Sequence, residues 1–315
     1  MEWKIKMKKT ALSLAIAAVL PAFANAEKVE VEMPSFYGKV NVSVQNTQEG
    51  DDSISEVVSN ASRLGVKGKI ELKHGLEGIY QLEYETYVDD GEKEKDQTFS
   101  QRNIFAGIKG DFGQVIVGKF DTPLKKAQKK IDLFNDLEGD IKSAITKSDK
   151  RKEDSIQYST PKMSGLVATV AHIASEDETL NDGTSSSLTF TQDNVYAAIA
   201  YDTDVNIDTD VLRLVAQYSM SDFTVAALWE QDNRAGSDND VEGWVYSASY
   251  KLNSDIKLKA QYGESDIFKD NAKTYSLGAD YKLGKGAKAY AFVTDEEYGD
   301  DSSKEYYGVG LEYKF

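Results

Sequence analysis

An all-β fold, a sixteen-stranded antiparallel barrel that crosses a membrane with strands, is what the sequence predicts, and three observations predict it. Apolar and polar residues alternate through nearly the whole chain after residue 34, the signature of strands with one wet and one apolar face. Short turns alternate with longer, acidic connections, as in an up-and-down barrel. No run of about 18 apolar residues follows residue 26, which excludes a transmembrane helix but not a barrel. The hydrophobic content of 40% and mean hydropathy of −0.49 are what a barrel gives when half of each strand faces water.

The first 26 residues read as an address rather than as part of the fold. Lys4, Lys6, Lys8 and Lys9 precede an apolar run over 11–19, and Ala24-Asn25-Ala26 is a small-residue cleavage site, so 1–26 is a secretory signal peptide and 27–315 the barrel domain. Translation can begin at Met1 or at Met7, since Met7-Lys8-Lys9-Thr10 is a complete signal start. Removing the four lysines and Glu2 of this segment takes the formal charge from −16 to −19. That balance argues against nucleic acid as a partner. The chain has no cysteine, so an exported protein of this kind has neither disulfides nor a thiolate metal site. No cofactor or metal is expected.

Each strand follows from its parity. Phe36, Val40, Val42 and Val44 oppose Lys39, Asn41, Ser43 and Gln45, and a polar loop is expected over 47–60. Over 62–73, Leu64, Val66, Ile70 and Leu72 oppose Arg63, Lys67, Lys69 and Glu71. After the turn 74–77, Tyr80, Leu82 and Tyr84 oppose Gln81, Glu83 and Glu85. The strand over 98–110 is ambiguous, because Arg102 shares its parity with Ile104, Ala106 and Ile108. It turns at 111–113 and returns over 115–120. Further strands are expected at 154–161, 166–174, 184–192, 194–203, 209–220, 222–231, 242–252, 256–264, 273–283, 287–295 and 304–315. The last shows the pattern most clearly, with Tyr307, Val309, Leu311, Tyr313 and Phe315 on one side.

One stretch breaks the alternation. From 121 to 153 the chain carries Lys125, Lys126, Lys129 and Lys130, then Asp132, Asp136, Glu138 and Asp140. Its apolar residues Leu124, Ala127, Ile131, Phe134, Leu137 and Ile141 recur every three or four positions, enough for a short amphipathic helix. A solvated charged excursion has the same composition. A barrel, however, offers such a segment an interior to fold into, where it narrows the opening.

At this point the sequence resembles the trimeric Gram-negative general porin family. The resemblance rests on Phe36-Tyr37-Gly38-Lys39, Ser62-Arg63-Leu64-Gly65-Val66-Lys67-Gly68, Arg102-Asn103-Ile104-Phe105-Ala106-Gly107, Ser155-Ile156-Gln157-Tyr158-Ser159-Thr160-Pro161 and the terminal Tyr313-Lys314-Phe315, in that order. It implies a homotrimer in the outer membrane of a Gram-negative cell, among lipopolysaccharide and lipid, whose third external loop folds inward as a constriction. It also implies a basic wall facing an acidic loop. Lys39, Arg63, Arg102 and Lys119 take the first role, with Arg151 less secure, and Asp136, Glu138 and Asp140 the second. Lysine at 119, where arginine is usual, and the heavy 125–130 run depart from the family pattern.

The expected function is passive diffusion of small hydrophilic solutes and ions, with weak cation selectivity that fades as salt screens the acidic mouth. A sugar-specific channel needs aromatic rings along the lumen, yet Trp229 and Trp244 fall on the apolar parity. A plugged adhesive barrel needs larger loops. An enzyme reading has only His74 and His172 to draw on, with no hydrolase or metalloprotease motif around them. The loop acids Asp51-Asp52, Asp89-Asp90 and Asp300-Asp301 can bind divalent cations or simply be solvated, and the second reading is preferred.

Overall fold

The computed structural model describes residues 32–91, 97–234, 240–300 and 302–315, so the signal segment lies outside it. Seventeen strand segments follow in order: β1 Ser35–Glu49, β2 Asp52–Ser59, β3 Arg63–Glu71, β4 Glu77–Thr86, β5 Phe99–Gly110, β6 Gly113–Asp121, β7 Arg151–Ser159, β8 Leu166–Ile173, β9 Gly183–Gln192, β10 Val195–Asn206, β11 Thr209–Met220, β12 Phe223–Arg234, β13 Val241–Lys251, β14 Ile256–Ser265, β15 Ala272–Gly284, β16 Ala287–Glu297 and β17 Ser303–Lys314. Sequence neighbours pair antiparallel throughout except β2 with β3, and β17 pairs with β1 from Lys39↔Lys314 to Gln48↔Glu305. The sheet therefore closes on itself and has no free edge.

Segments β2 and β3 are one barrel strand. Both pair with β1, β2 opposite Val42 to Glu49 and β3 opposite Ser35 to Lys39. Between them Ala61 takes a left-handed φ of 49° and interrupts the ladder. Sixteen barrel strands result. The expected polar loop over 47–60 is thus corrected to a hairpin. Its turn needs only Gly50 (φ 61°) and Asp51, and the polar residues Asn46, Ser53 and Ser55 hydrogen-bond across it. The apolar residues of β2, Ile54, Val57 and Val58, fall on both parities, so no hydrophobic alternation betrays the strand.

The ambiguity at Arg102 also has a physical cause. Leu82 pairs with Ile104 but Tyr84 pairs with Gln101, so a bulge falls at Arg102 and Asn103. The extra residue lets Arg102 point inward although Ile104 points outward.

One face of the closed sheet carries an exposed apolar band, including Val44, Val117, Leu214, Leu277 and Val309. Such a continuous surface is far beyond what water tolerates and fits lipid. Trp229 and Trp244 lie on this outer face, in a row of rings that continues through Tyr246, Tyr262 and Tyr275 at centroid spacings of 5.1–6.4 Å.

The opposite face meets the segment between β6 and β7. Two short helices form there, α1 Pro123–Ala127 and α2 Ile141–Ala144. Thr122 caps the first through its side chain, with Pro123 at the first helical position, and Asp140 caps the second. Left-handed backbone at Lys129 (φ 54°) and Asp136 (φ 68°) falls between the two helices, so the short amphipathic helix that periodicity suggests is present as two separate pieces.

Leu124, Ala127, Ile131, Ile141 and Ile145 pack against Tyr196, Val211, Val215, Leu228 and Val245 of β10 to β13. Phe134 packs against Tyr290, Phe292 and Tyr306 of β16 and β17. Each fully buried aliphatic side chain in such a seam stabilises by about 1.5–3 kcal/mol.

At the root of the segment Arg213 is fully buried. Its guanidinium donates to Glu230 at 2.6 Å, to Asp149 at 2.8 Å and to the Leu124 carbonyl at 3.3 Å, while Thr146 donates to Glu230. Arg213 thus joins both ends of the segment to β11 and β12. Replacing Arg213 by Met leaves Glu230 and Asp149 buried without their counter-ion, a loss of about 3–5 kcal/mol by analogy with broken buried ion pairs. Thermal unfolding in detergent should show this as a clearly lowered midpoint; an unchanged midpoint would contradict the clamp.

Candidate functional site

The segment 121–150 keeps an irregular backbone inside the sheet because wall side chains hydrogen-bond to it. Tyr196 donates to the Ala127 carbonyl (2.6 Å), Ser247 to Ile131 (2.7 Å), Lys259 to Leu133 (3.1 Å) and Ser265 to Ile145 (2.7 Å). Gln261 accepts from the Leu133 amide and donates to the Gly139 carbonyl and the Asp132 carboxyl. These contacts hold the segment against β10, β13 and β14, which leaves its other edge facing β1 to β7.

On that edge Asp136 is the meeting point. Lys39 of β1 and Arg63 of β3, themselves register partners, reach the same Asp136 oxygen at 2.7 and 2.6 Å. Burial pushes the Asp136 carboxyl up, but the Lys39 and Arg63 charges outweigh it and hold it down at about 2. Glu138 accepts from Gln45 of β1 at 2.9 Å.

Of the three expected acids, Asp140 does not face the wall. Its buried carboxylate accepts from the Asp136 and Lys142 amides and from Asn135, and pairs with Lys142 at 2.9 Å. It shapes the turn that presents Asp136. Beneath it, Asp132 accepts from the Phe134 and Ile141 amides, and burial together with Asp140 raises its pKa well above the usual carboxylate range.

The basic wall is equally uneven. Arg102 is held by Glu83 at 2.9 Å and by Glu85, and Tyr37 donates to Glu83 at 3.0 Å. Arg151 joins the group, pairing with Asp121 at 2.9 Å where Lys125 also binds at 3.2 Å. Lys119 stands apart. It is the register partner of outward-facing Ile104 and binds Glu153 at 2.8 Å, because its neighbour Phe120 fills the inward position against Phe105.

Between wall and segment lies a cavity of about 480 Å³. Seven cationic side chains line it, among them Arg63, Arg102, Lys126 and Arg151, against the four acids Glu85, Asp121, Asp136 and Asp149. The narrow space is therefore net positive even though the chain is acidic. The outer segments around 174–183 and 204–208 gather Glu176, Asp177, Asp204 and Asp208, so the sign changes along the path.

Sequence reasoning missed Glu83 and Glu85 as the partners of Arg102, and the Arg213 clamp. The clamp had a readable signal, since Arg213 and Glu230 sit on the wet parity of strands whose neighbours there, Val211, Val215 and Leu228, are apolar. His74 lies in the turn after β3, and His172 of β8 approaches Asp182 at 3.6 Å. Among the described residues no group of three or more His, Cys, Asp or Glu is arranged to hold a metal.

A family model described as Gram-negative porin matches residues 11–301. The chain is 25% identical to a major outer membrane protein P.IB of Neisseria meningitidis serogroup A, over 98% of this chain and all of that one. It is 24% identical to a monosaccharide porin of a Halomonas species, over 93% of this chain and 82% of that one. Among solved structures, an anion-selective porin from Comamonas acidovorans superimposes with a TM-score of 0.78 at 21% identity, covering 91% of this chain and all of that one.

The Asp136 link carries a pH prediction. A carboxyl held below its unfolded value of about 4 contributes fully above that pH and loses its contribution as pH falls toward 2. Single-channel conductance should not change through this group between neutral pH and about pH 5. Asp136→Asn should show at neutral pH the altered conductance that the native chain reaches only in strong acid, and identical conductance of the two at neutral pH would contradict the link.

Proposed function

The chain belongs to the family of Gram-negative porins, and from that premise we propose that it forms a water-filled outer-membrane channel for passive diffusion of small hydrophilic solutes and ions, with the passage narrowed between Lys39, Arg63, Arg102 and Arg151 on one side and Asp136 and Glu138 on the other. The observation that carries the proposal is the charged cavity enclosed between the wall of a closed sheet and segment 121–150. Opposed rows of cations and anions across a narrow, low-dielectric space produce a transverse field. Polar solutes align in it, whereas apolar ones must displace water ordered by the charges. The mature chain is exported with removal of 1–26 and sits among lipopolysaccharide and lipid as a homotrimer. A shallow outer groove lined by Val42, Val44, Val57, Ala279, Ala289 and Ala291 supports subunit contact, because small side chains let backbones approach.

Weak cation preference comes from the acidic mouth alone. Asp136 is neutralised by two cations and Asp140 is engaged internally, so the segment's acids leave no surplus negative charge in the narrow part. Mouth charge acts over a Debye length of roughly 8 Å at physiological salt, so the preference shrinks as salt rises. A sugar-specific channel is the second reading, favoured by the similarity to a monosaccharide porin. Against it, Trp229 and Trp244 are on the outer face, and the inward rings Tyr290, Phe292 and Tyr306 are buried beneath Phe134. No hydrolytic role is assigned to His74 or His172.

Planar-bilayer recording tests this reading. Ohmic conductance with three equal closing steps is expected, and the zero-current potential under a potassium chloride gradient should indicate cation preference in dilute salt that falls toward zero in concentrated salt. Absence of conductance would overturn the channel. A preference that grows with salt would overturn the mouth as its origin, and block by micromolar oligosaccharide would favour the sugar reading.

A further inference from the structure

At the short-turn rim of the barrel, strand register sets lysine against lysine twice. Lys251 of β13 is the partner of Lys257 of β14, and Lys282 of β15 is the partner of Lys288 of β16. Like charges directly opposite on paired strands are destabilising. The partner of Lys257 on its other side is Asp280, but that carboxylate is taken by Lys259 at 3.1 Å and by Lys288 at 3.2 Å. Lys251, Lys257 and Lys282 are left with no ion-pair partner among the described residues.

These lysines edge a groove of about 690 Å³ that straddles the rim. Tyr250, Leu252 and Ile256 also line it, on the outward parity that Tyr246 and Leu258 share, and Tyr250 and Leu252 are exposed. Neither of these two belongs to the groove assigned to subunit contact. The charged lining residues are Lys251, Lys257, Lys282 and Lys288 against Asp222, Asp255 and Asp280, a surplus of one positive charge in a strongly acidic chain. Short turns mark the periplasmic end of such a barrel. A cationic surplus beside an apolar ledge at that level fits an amphiphile with one negative charge.

We propose that this rim of β13 to β15 binds an anionic phospholipid of the periplasmic leaflet, with its phosphodiester at Lys251, Lys257 and Lys282 and an acyl chain along Tyr250, Leu252 and Ile256. Long lysine side chains reach along a rim to headgroup level, and tyrosine favours the same interface. A phosphodiester under an uncharged headgroup carries one negative charge, equal to the surplus of the groove. A choline or ethanolamine headgroup brings its own ammonium, which the lysines repel. Lysine acts as a point charge without a planar fork, so the site selects by headgroup charge rather than by headgroup shape. Binding also answers the two like-charge contacts that the register imposes. The site needs the barrel and its orientation, and it stands apart from conduction.

Thermal unfolding in an uncharged detergent, with dioctanoylphosphatidylglycerol, dioctanoylphosphatidylcholine or glycerol 3-phosphate added, tests the site, since a ligand that binds only the folded chain raises the midpoint. The phosphatidylglycerol should raise it at concentrations where the phosphatidylcholine and glycerol 3-phosphate do not. In a Lys251→Gln, Lys257→Gln, Lys282→Gln triple variant the concentration giving half the shift should rise by at least about tenfold, and arginine at the same three positions should restore it. Without lipid the glutamine variant should unfold at or above the native midpoint, because its like-charge contacts are gone, which separates a lost site from a damaged fold. Leu252→Ser should reduce the phosphatidylglycerol shift as well, through the acyl chain. Equal shifts with the two lipids, equal shifts in native and glutamine forms, or no shift with any of the three additives would overturn the site. A shift as large with glycerol 3-phosphate would show that the lysines take a soluble anion, and would overturn the lipid as occupant.

Discussion

Everything inside this barrel depends on satisfying the backbone of one irregular segment at membrane depth. Lipid and an apolar seam supply no hydrogen bonds, and each unpaired buried amide or carbonyl there costs free energy comparable to a lost hydrogen bond. The sheet meets that need with side chains. Tyr196, Ser247, Lys259, Gln261 and Ser265, from β10, β13 and β14, take up backbone groups of Ala127, Ile131, Leu133, Gly139 and Ile145 that a helix or strand would have paired within itself. Once those partners are fixed, the apolar side chains between them have only one wall to pack on, and the seam with Val211, Val215, Leu228 and Val245 follows.

Fixing one edge of the segment decides what the other edge can do. Because the seam and the Arg213 clamp lie toward β10 to β14, Asp136 and Glu138 are presented across the remaining space to β1 and β3. Their partners are as constrained as they are. Lys39 and Arg63 are register partners on neighbouring strands, and Arg102 reaches the lumen only through a bulge. The charges of the passage are thus set by backbone register at three strands and by left-handed turns at Lys129 and Asp136, not by flexible side chains finding each other. Because the acids are spent on these links, lysines in the early part of the segment keep unbalanced charge in a protein whose surface is strongly negative.

How much of this could be read from sequence varies with the contrast between the two faces of a strand. In β17 the contrast is complete, and parity alone orients it. In β10 and β11 the inward residues Tyr196, Ala198, Val211 and Val215 are apolar because another part of the chain covers them, so the wall that receives the segment looked like any strand with weak alternation. Segment β2 was lost for a different reason: its apolar residues Ile54, Val57 and Val58 fall on both parities, so neither face reads as the apolar one. The excursion was legible from its own helical spacing, yet its break into two short helices was not, since that depends on Lys129 and Asp136 adopting left-handed backbone. The convergence on Asp136 came from resemblance to a family, whereas Lys119 followed the same resemblance and was misplaced, its inward position taken by Phe120. Asp140, just before Ile141, had the position of a helix cap, which is the role its buried carboxylate serves.

Amide hydrogen exchange through 121–150, measured on the folded barrel in detergent, tests most directly whether this segment is locked to the interior of the wall. The Leu133 and Ile141 amides, bonded to Gln261 and Asp132, should exchange as slowly as strand amides such as that of Val245. Exchange of 121–150 as fast as that of the outer connection 266–271 would contradict the account, because a segment free enough to exchange at that rate could not hold Asp136 against Lys39 and Arg63.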